Sequence, residues 1–186
     1  MFRFIVKPMA MFGIVVMMAF PNTVSAQEVD SVAIGVVNVQ AILQKSAAGK
    51  NIQAQLDKKR EEYQEQISAK ENNLRDAEKK ILDQKETLSE AEFAAKRKDF
   101  EQDVLSAQKM VQNNKRSLEG GFARALAKLR DDVRETVAEV AKERQYALVL
   151  SDDAVIIAEK SMDITDEVIK ALDKRLTKVT IDWSVK

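Results

Sequence analysis

KNIQAQLDKKREEYQEQISAKENNLRDAEKKILDQKETLSEAEFAAKRKDFEQDVLSAQKMVQNNKRSLE, residues 50–119, contains no Gly and no Pro, and about two in five of its residues are charged. Gly and Pro are the strongest local breakers of a helix, so a run this long without either carries no internal stop signal. Apolar residues recur at heptad spacing: Ile67, Leu74, Ile81 and Leu88 lie seven apart, with Leu56, Tyr63 and Ala77 on the neighbouring row. Lys70 and Gln84 share that second row, so the seam is thin. It can cover one partner helix but not a globular core. Ser89 followed by Glu92 matches a capping box, which predicts a turn near Leu88 and a new helix just beyond it. The return helix carries Phe93, Phe100 and Ala107 on one row and Val104, Val111 and Leu118 on the other. Two antiparallel helices with matching thin seams zip together, and an outgoing arm of about 38 residues spans ~57 Å.

Outward from this hairpin the pattern changes. Gly49 precedes the charged stretch, and the pair Gly120-Gly121 interrupts its return, predicting a kink or a close helix contact where arm meets body. Past the pair the apolar face widens to Phe122, Leu126, Leu129, Val133, Val137 and Val140, a stripe that should pack on a body. Val32 to Val39 is β-branched and lacks helical spacing, so it reads as a strand buried on both faces, with a helical turn from Ala41 to about Lys45. Tyr146 to Leu150 and Ala154 to Ala158 read as two strands joined by a turn at Ser151-Asp152-Asp153. Asp163 or Thr165 can cap a last helix with Val168, Ile169 and Leu172 on its apolar face. The tail from Lys178, including Trp183, suits an edge strand or a packed tail.

Strand elements at both ends bracket one hairpin, so they must meet for the strands to pair. The expected class is mainly α with a small β body, a long antiparallel helical hairpin projecting from a β-rich oligomerisation core. Residues 27–186 are expected to form one fold: body 27–48 and 121–178, hairpin arm 49–120, and tail 179–186. About 30 strand and short-helix residues are too few for a self-sufficient core, which argues for several bodies sharing one.

The first 26 residues read as an export signal. Arg3 and Lys7 give a basic start, Met9 to Phe20 an apolar stretch, Pro21 a break, and Val24-Ser25-Ala26 a small-residue cleavage pattern. The stretch is too short to span a bilayer, which takes about 20 residues. Cleavage after about Ala26 removes two of 30 basic residues and none of 30 acidic ones, leaving a net charge of −2. That balance does not suit nucleic acid. Without Cys there is no disulfide framework, and without His the commonest general base and metal ligand are missing.

Few residues suggest chemistry. Asp152-Asp153, Asp163 and Asp166 match no loop with a known ligand set, and a turn plus a helix cap accounts for them. No Gly-x-Ser-x-Gly elbow and no Gly-rich phosphate loop is present. The expectation is a protein that is not an enzyme, with no catalytic residues, cofactor or metal. Lys96, Arg97 and Lys98 form a basic cluster near the predicted tip. They are weak candidates for contact with a client, lipopolysaccharide or a membrane surface, against a solvated helix face balanced by Glu90, Glu92 and Asp99. Gly120 and Gly121 are the candidate hinge. Between Lys50 and Lys115 the arms carry 14 basic and 14 acidic residues, a mixed surface that resists self-association.

IGVVNVQAIL at 34–43, then a Gly and a long charged hairpin, resembles the opening of the Skp/OmpH family of periplasmic chaperones. YALVLSDDAVIIA at 146–158 and DITDEVIKAL at 163–172 resemble its close. The resemblance covers about Val32 to Leu176. It implies a homotrimer whose hairpins project like tentacles around a cavity. There, without ATP, unfolded outer-membrane proteins are held until they reach the outer-membrane assembly machinery. Two departures stand out: the arms are neutral where the best-known members are basic, and the tail beyond Lys178 lies outside the pattern. The rival expectation is a structural coiled-coil spacer or tether in the cell envelope.

Overall fold

The computed structural model describes residues 32–185. The expected signal segment and its cleavage site lie outside the described residues.

Strand β1, Ile34–Val37, carries the buried, β-branched centre of the run read as a strand. Asn38 ends it and caps helix α1, Val39–Lys45, by accepting the Ala41 N–H at 2.5 Å. The Asn38 main-chain N–H reaches Thr165 Oγ1 at 2.9 Å, and its side-chain amide donates to Asp152. One residue thus ties together segments more than 110 positions apart.

Helix α2, Ala47–Asp83, starts after a one-residue break at the buried Ser46, whose hydroxyl accepts from Gly49 N. Gly49 lies inside the first turn of α2 rather than before it. A Cβ there would sit 1.8 Å from the Leu43 carbonyl oxygen, so the corner between α1 and α2 closes only on a glycine. Asp173 completes the corner by accepting the Ala47 N–H at 2.7 Å.

The chain turns through residues 84–88, and Ser89 opens helix α3, Glu90–Glu143, with both bonds of the expected capping box. At 1.5 Å per residue, the 37 residues of α2 and the 54 of α3 span ~56 Å and ~81 Å. Tyr63 and Ser117, and farther out Lys70 and Asp103, meet across the pair, which places the two helices antiparallel. Helix α3 passes through Gly120 and Gly121 without a break. Its C-terminal half buries Leu129, Val133 and Val140 of the face read in the sequence, leaves Phe122, Leu126 and Val137 half-buried, and buries Ala125 and Thr136 as well. Gln145, in the left-handed region at φ 58°, ends the helix and turns the chain back.

Strand β2, Leu148–Ser151, then pairs with β1 in parallel register, from Ile34 with Leu148 to Val37 with Ser151. On the other side of β1, Ile164 N donates to the Val36 oxygen at 2.9 Å. Helix α4, Thr165–Arg175, buries Val168 and Leu172. One expectation fails here. Ala154 to Ala158 is not a second strand hairpinned to the first: Asp152–Ala154 forms a single 3-10 turn, and the residues that follow have no ladder partner among those described. The Asn38 amide holds Asp152, and the chain leaves β2 for the other edge of β1, which it reaches at Ile164, rather than folding back along β2.

The core gathers Ile42, Ile52, Leu129, Val133, Val168, Leu172 and Val179. It therefore draws on the base of α2, half of α3 and the tail, not only on strands and short helices. Burying an aliphatic side chain of this kind is worth about 1.5–3 kcal/mol.

Candidate functional site

Three surfaces stand out: the arm tip, the arm base with the tail across it, and the unpaired segment after β2. At the tip, the Ser89 hydroxyl and N–H both donate to Glu92 Oε2, at 2.6 and 3.0 Å, and these bonds hold the Glu92 carboxyl below its ordinary range. Lys96, Arg97 and Lys98 follow within α3 and are all exposed. Consecutive helix residues are about 100° apart, so the three fan over roughly 200° and do not form one face. Only Arg97 is drawn into a structure. It pairs with Glu101 at 3.7 Å and lines an open cleft of ≈ 290 Å³ with Ile81, Leu82, Phe93 and Phe100. Lys96 and Lys98 do not line that cleft.

Nearer the base, Leu56, Tyr63, Ile67, Val111, Leu118 and Phe122 line a larger open cleft of ≈ 540 Å³. The heptad aromatics therefore pack in the seam. Lys59 sits 4.9 Å from the Tyr63 ring centroid and pairs with Glu62 at 2.9 Å. Their shared hydrogen bond raises the Lys59 pKa and lowers that of Glu62. The pair is half-buried at the helix surface, where solvent still screens it, and such pairs contribute little to stability.

Across the base lies the tail. Val179 and Ile181 are buried and Trp183 is half-buried, while Thr180, Asp182 and Ser184 face solvent. Asn51 and Gln55, one turn apart on α2, hold the main chain of Val179 and Ile181. Ser117 and Arg124 on α3 hold the oxygens of Asp182, Trp183 and Ser184. Gly121 is the floor: a Cβ there would lie 2.8 Å from the Trp183 ring and 2.9 Å from the Asp182 oxygen. Gly120 differs, since its nearest neighbour is the flexible end of Arg124, at 3.1 Å. So the structure separates the two glycines of the pair, and it resolves the tail as a packed segment. Sequence reasoning missed this groove. Its signal was the period-two alternation of Val179, Ile181 and Trp183.

After β2, Ile156 and Ile157 are 104% and 89% exposed. Asp152 accepts from Asn38, and the Thr165 hydroxyl and N–H hold the Asp163 carboxyl below its ordinary range. Asp152 thus serves a turn, while Asp163 lies one residue before Ile164, the N-cap of α4, and accepts from Thr165 N, so neither Asp163 nor Thr165 is the capping residue expected. Among the described residues no group of three or more His, Cys, Asp or Glu is placed to hold a metal, and no helix is long and apolar enough to cross a membrane.

The family model described as "Outer membrane protein (OmpH-like)" matches residues 33–172, well over half of the chain. The chain belongs to the OmpH-like, or Skp/OmpH, family. A Skp-like protein of Chlamydia muridarum (strain MoPn / Nigg) is 29% identical over 144 residues, covering 75% of this chain and 82% of that one. A crystal structure of an OmpH-like protein from Caulobacter crescentus CB15, solved as a candidate outer membrane chaperone, aligns with a TM-score of 0.77 at 21% identity. That alignment covers 81% of this chain and 89% of the other, and at such identity the likeness is one of fold. The OmpH-like match ends at residue 172, so the tail groove involves a segment beyond it.

Proposed function

We propose that this chain, exported to the periplasm, is an ATP-independent holdase for unfolded outer-membrane β-barrel proteins. It works as a homotrimer whose helical arms surround the client and hand it on for membrane assembly. One observation carries the reading: from Asp57 to Arg116 not a single residue is buried. Two helical stretches of 27 residues each, 57–83 and 90–116, add no buried residue to the core, in a chain of a family whose Caulobacter member was solved as a candidate outer membrane chaperone. A segment that long and that dispensable for stability is kept for what it touches.

The chemistry fits a container. An unfolded barrel exposes strand edges that pair with other chains, and enclosing them prevents it. Balanced charges make many weak contacts that release without fuel. Neutral arms supply no long-range steering, so capture should depend little on salt. Ile156 and Ile157 support the trimer, because a β-branched segment exposed in the single chain is covered if it joins a neighbouring subunit's sheet.

The test is a native mass spectrum of the mature protein diluted together with a urea-unfolded outer-membrane barrel. Three protomers plus one client is the expected peak. Bare trimer beside aggregated barrel would transfer the reading to an envelope spacer, and a monomer that leaves aggregation unchanged would overturn both.

A further inference from the structure

We infer that the groove holding the tail is a binding site for one extended strand of a client, and that the tail is its internal, displaceable occupant. The inference rests on the holdase reading and names a contact surface within it.

All six hydrogen bonds from the helices to residues 179–184 go to main-chain atoms. Asn51 Oδ1 accepts from Val179 N at 3.2 Å, and Gln55 Nε2 donates to Val179 O at 2.7 Å while its Oε1 accepts from Ile181 N at 3.4 Å. Arg124 donates to the oxygens of Asp182 and Ser184 at 2.7 and 2.9 Å, and Ser117 donates to that of Trp183 at 2.5 Å. A side-chain charge contact, Arg124 with Asp182, is looser at 3.8 Å. A site that reads main chain accepts any sequence able to lie extended. This is the logic of strand addition, in which main-chain bonds give affinity and alternate side chains give selectivity.

The selectivity here is for alternation. Val179, Ile181 and Trp183 point inward, and Thr180, Asp182 and Ser184 outward. Strands of transmembrane barrels alternate apolar and polar side chains with the same period. An unfolded barrel is thus a long string of segments with the tail's own pattern.

Arg124 Nε is buried and makes no hydrogen bond among the described residues. One feature favours exchange over a permanent strap. Beyond the indole a cleft of ≈ 210 Å³, lined by Gln55, Lys58, Lys59, Glu62 and Trp183, gives further room.

Trp183 is the only tryptophan in the chain, so its emission reports tail release directly. The full-length mature protein is titrated with a Trp-free unfolded barrel, and separately with two synthetic nonamers. One is Lys-Val-Thr-Ile-Asp-Phe-Ser-Val-Lys. The other has the same composition with its apolar residues bunched. The peptides are used in the millimolar range, which an intramolecular competitor demands. The barrel and the alternating peptide should shift Trp183 emission to the red, and the bunched peptide should not. Tail-side and groove-side variants should also move client retention in opposite directions. Ile181→Thr loosens the occupant and should raise retention, while Gln55→Ala damages the site and should lower it, each by about fivefold, the scale of one hydrogen bond. Far-ultraviolet circular dichroism shows whether each variant keeps its helices.

A barrel held in solution with Trp183 unmoved would leave the holdase reading standing and overturn the groove. Aggregation of the barrel together with a red shift on the alternating peptide would do the reverse. If both variants lower retention equally, the tail is a structural strap and the inference falls.

Discussion

Tyr63 and Ser117 share a hydrogen bond of 2.9 Å across the arm base, and the same Ser117 hydroxyl donates to the Trp183 oxygen at 2.5 Å. A serine hydroxyl has one proton, and Trp183 O can only accept, so Tyr63 is the donor in the first bond. Outgoing helix, return helix and tail are thus joined through one oxygen atom.

The relay predicts unequal costs at its two ends. Tyr63→Phe removes a donor and leaves Ser117 satisfied by Trp183, so thermal unfolding should show a loss of about 0.5–1 kcal/mol. Ser117→Ala strands both the phenol and the Trp183 oxygen at a buried position, and a loss on the order of 1–3 kcal/mol is expected. Equal losses would show that the relay does not operate.

The glycines give a second, sharper contrast. Gly49→Ala drives a methyl into the Leu43 main chain, which cannot yield, and should destabilise by about 3 kcal/mol or more. Gly120→Ala meets only the end of the Arg124 side chain, which can shift, and should gain α3 about 1 kcal/mol of helix propensity, less what it loosens of Arg124's bonds to the tail. Gly121→Ala should instead dislodge the tail and redden Trp183 emission. If the pair is also a hinge, Gly120→Ala narrows the range of client sizes held without moving Trp183. Equal retention of small and large barrels would remove the hinge.

Ile156 and Ile157 should matter to assembly and not to the single chain. Exposed as they are, changing both to Ser removes no contact within the described fold. Sedimentation should show a loss of trimer at concentrations where the parent is assembled, with helix content kept. A stable trimer would place the interface elsewhere.

The Asp163 carboxyl, held by Thr165, predicts an acid limb. Its folded pKa is lowered, chiefly by the Thr165 hydroxyl, so its stabilisation is present above the ordinary carboxylate value and lost as pH falls through the lower folded value. Asp163→Asn keeps an acceptor for Thr165 N but cannot titrate. Parent and variant should differ most at neutral pH and converge below about pH 4. A constant gap across that range would contradict the assignment.

The hairpin was legible because heptad spacing and a capping box are local signals, each complete within a few turns. Ser89 with Glu92 behaves as its sequence reads. Where the reading failed, the deciding partner was distant. Val155 to Ala158 has strand composition, but composition does not reveal that the chain leaves β2 for the far edge of β1, which it reaches at Ile164. Gly49 looked like a break, and only the Leu43 carbonyl opposite it explains why it sits inside a helix. Nothing in the sequence singles out Asn51 and Gln55 on their charged helix. Their role appears only when a tail more than 120 residues away is laid against them.

The parallel register of β1 and β2 also sets an order of events. A strand at Ile34–Val37 emerging into the periplasm has no partner until Leu148–Ser151 follows, with the whole of α2 and α3 between them. Closing so long a loop is entropically costly unless the hairpin zips first and shortens the effective distance. Until the hairpin has zipped, the folding chain therefore carries an unpaired, β-branched strand edge. It must survive, alone and unprotected, the hazard from which its arms are proposed to shield others.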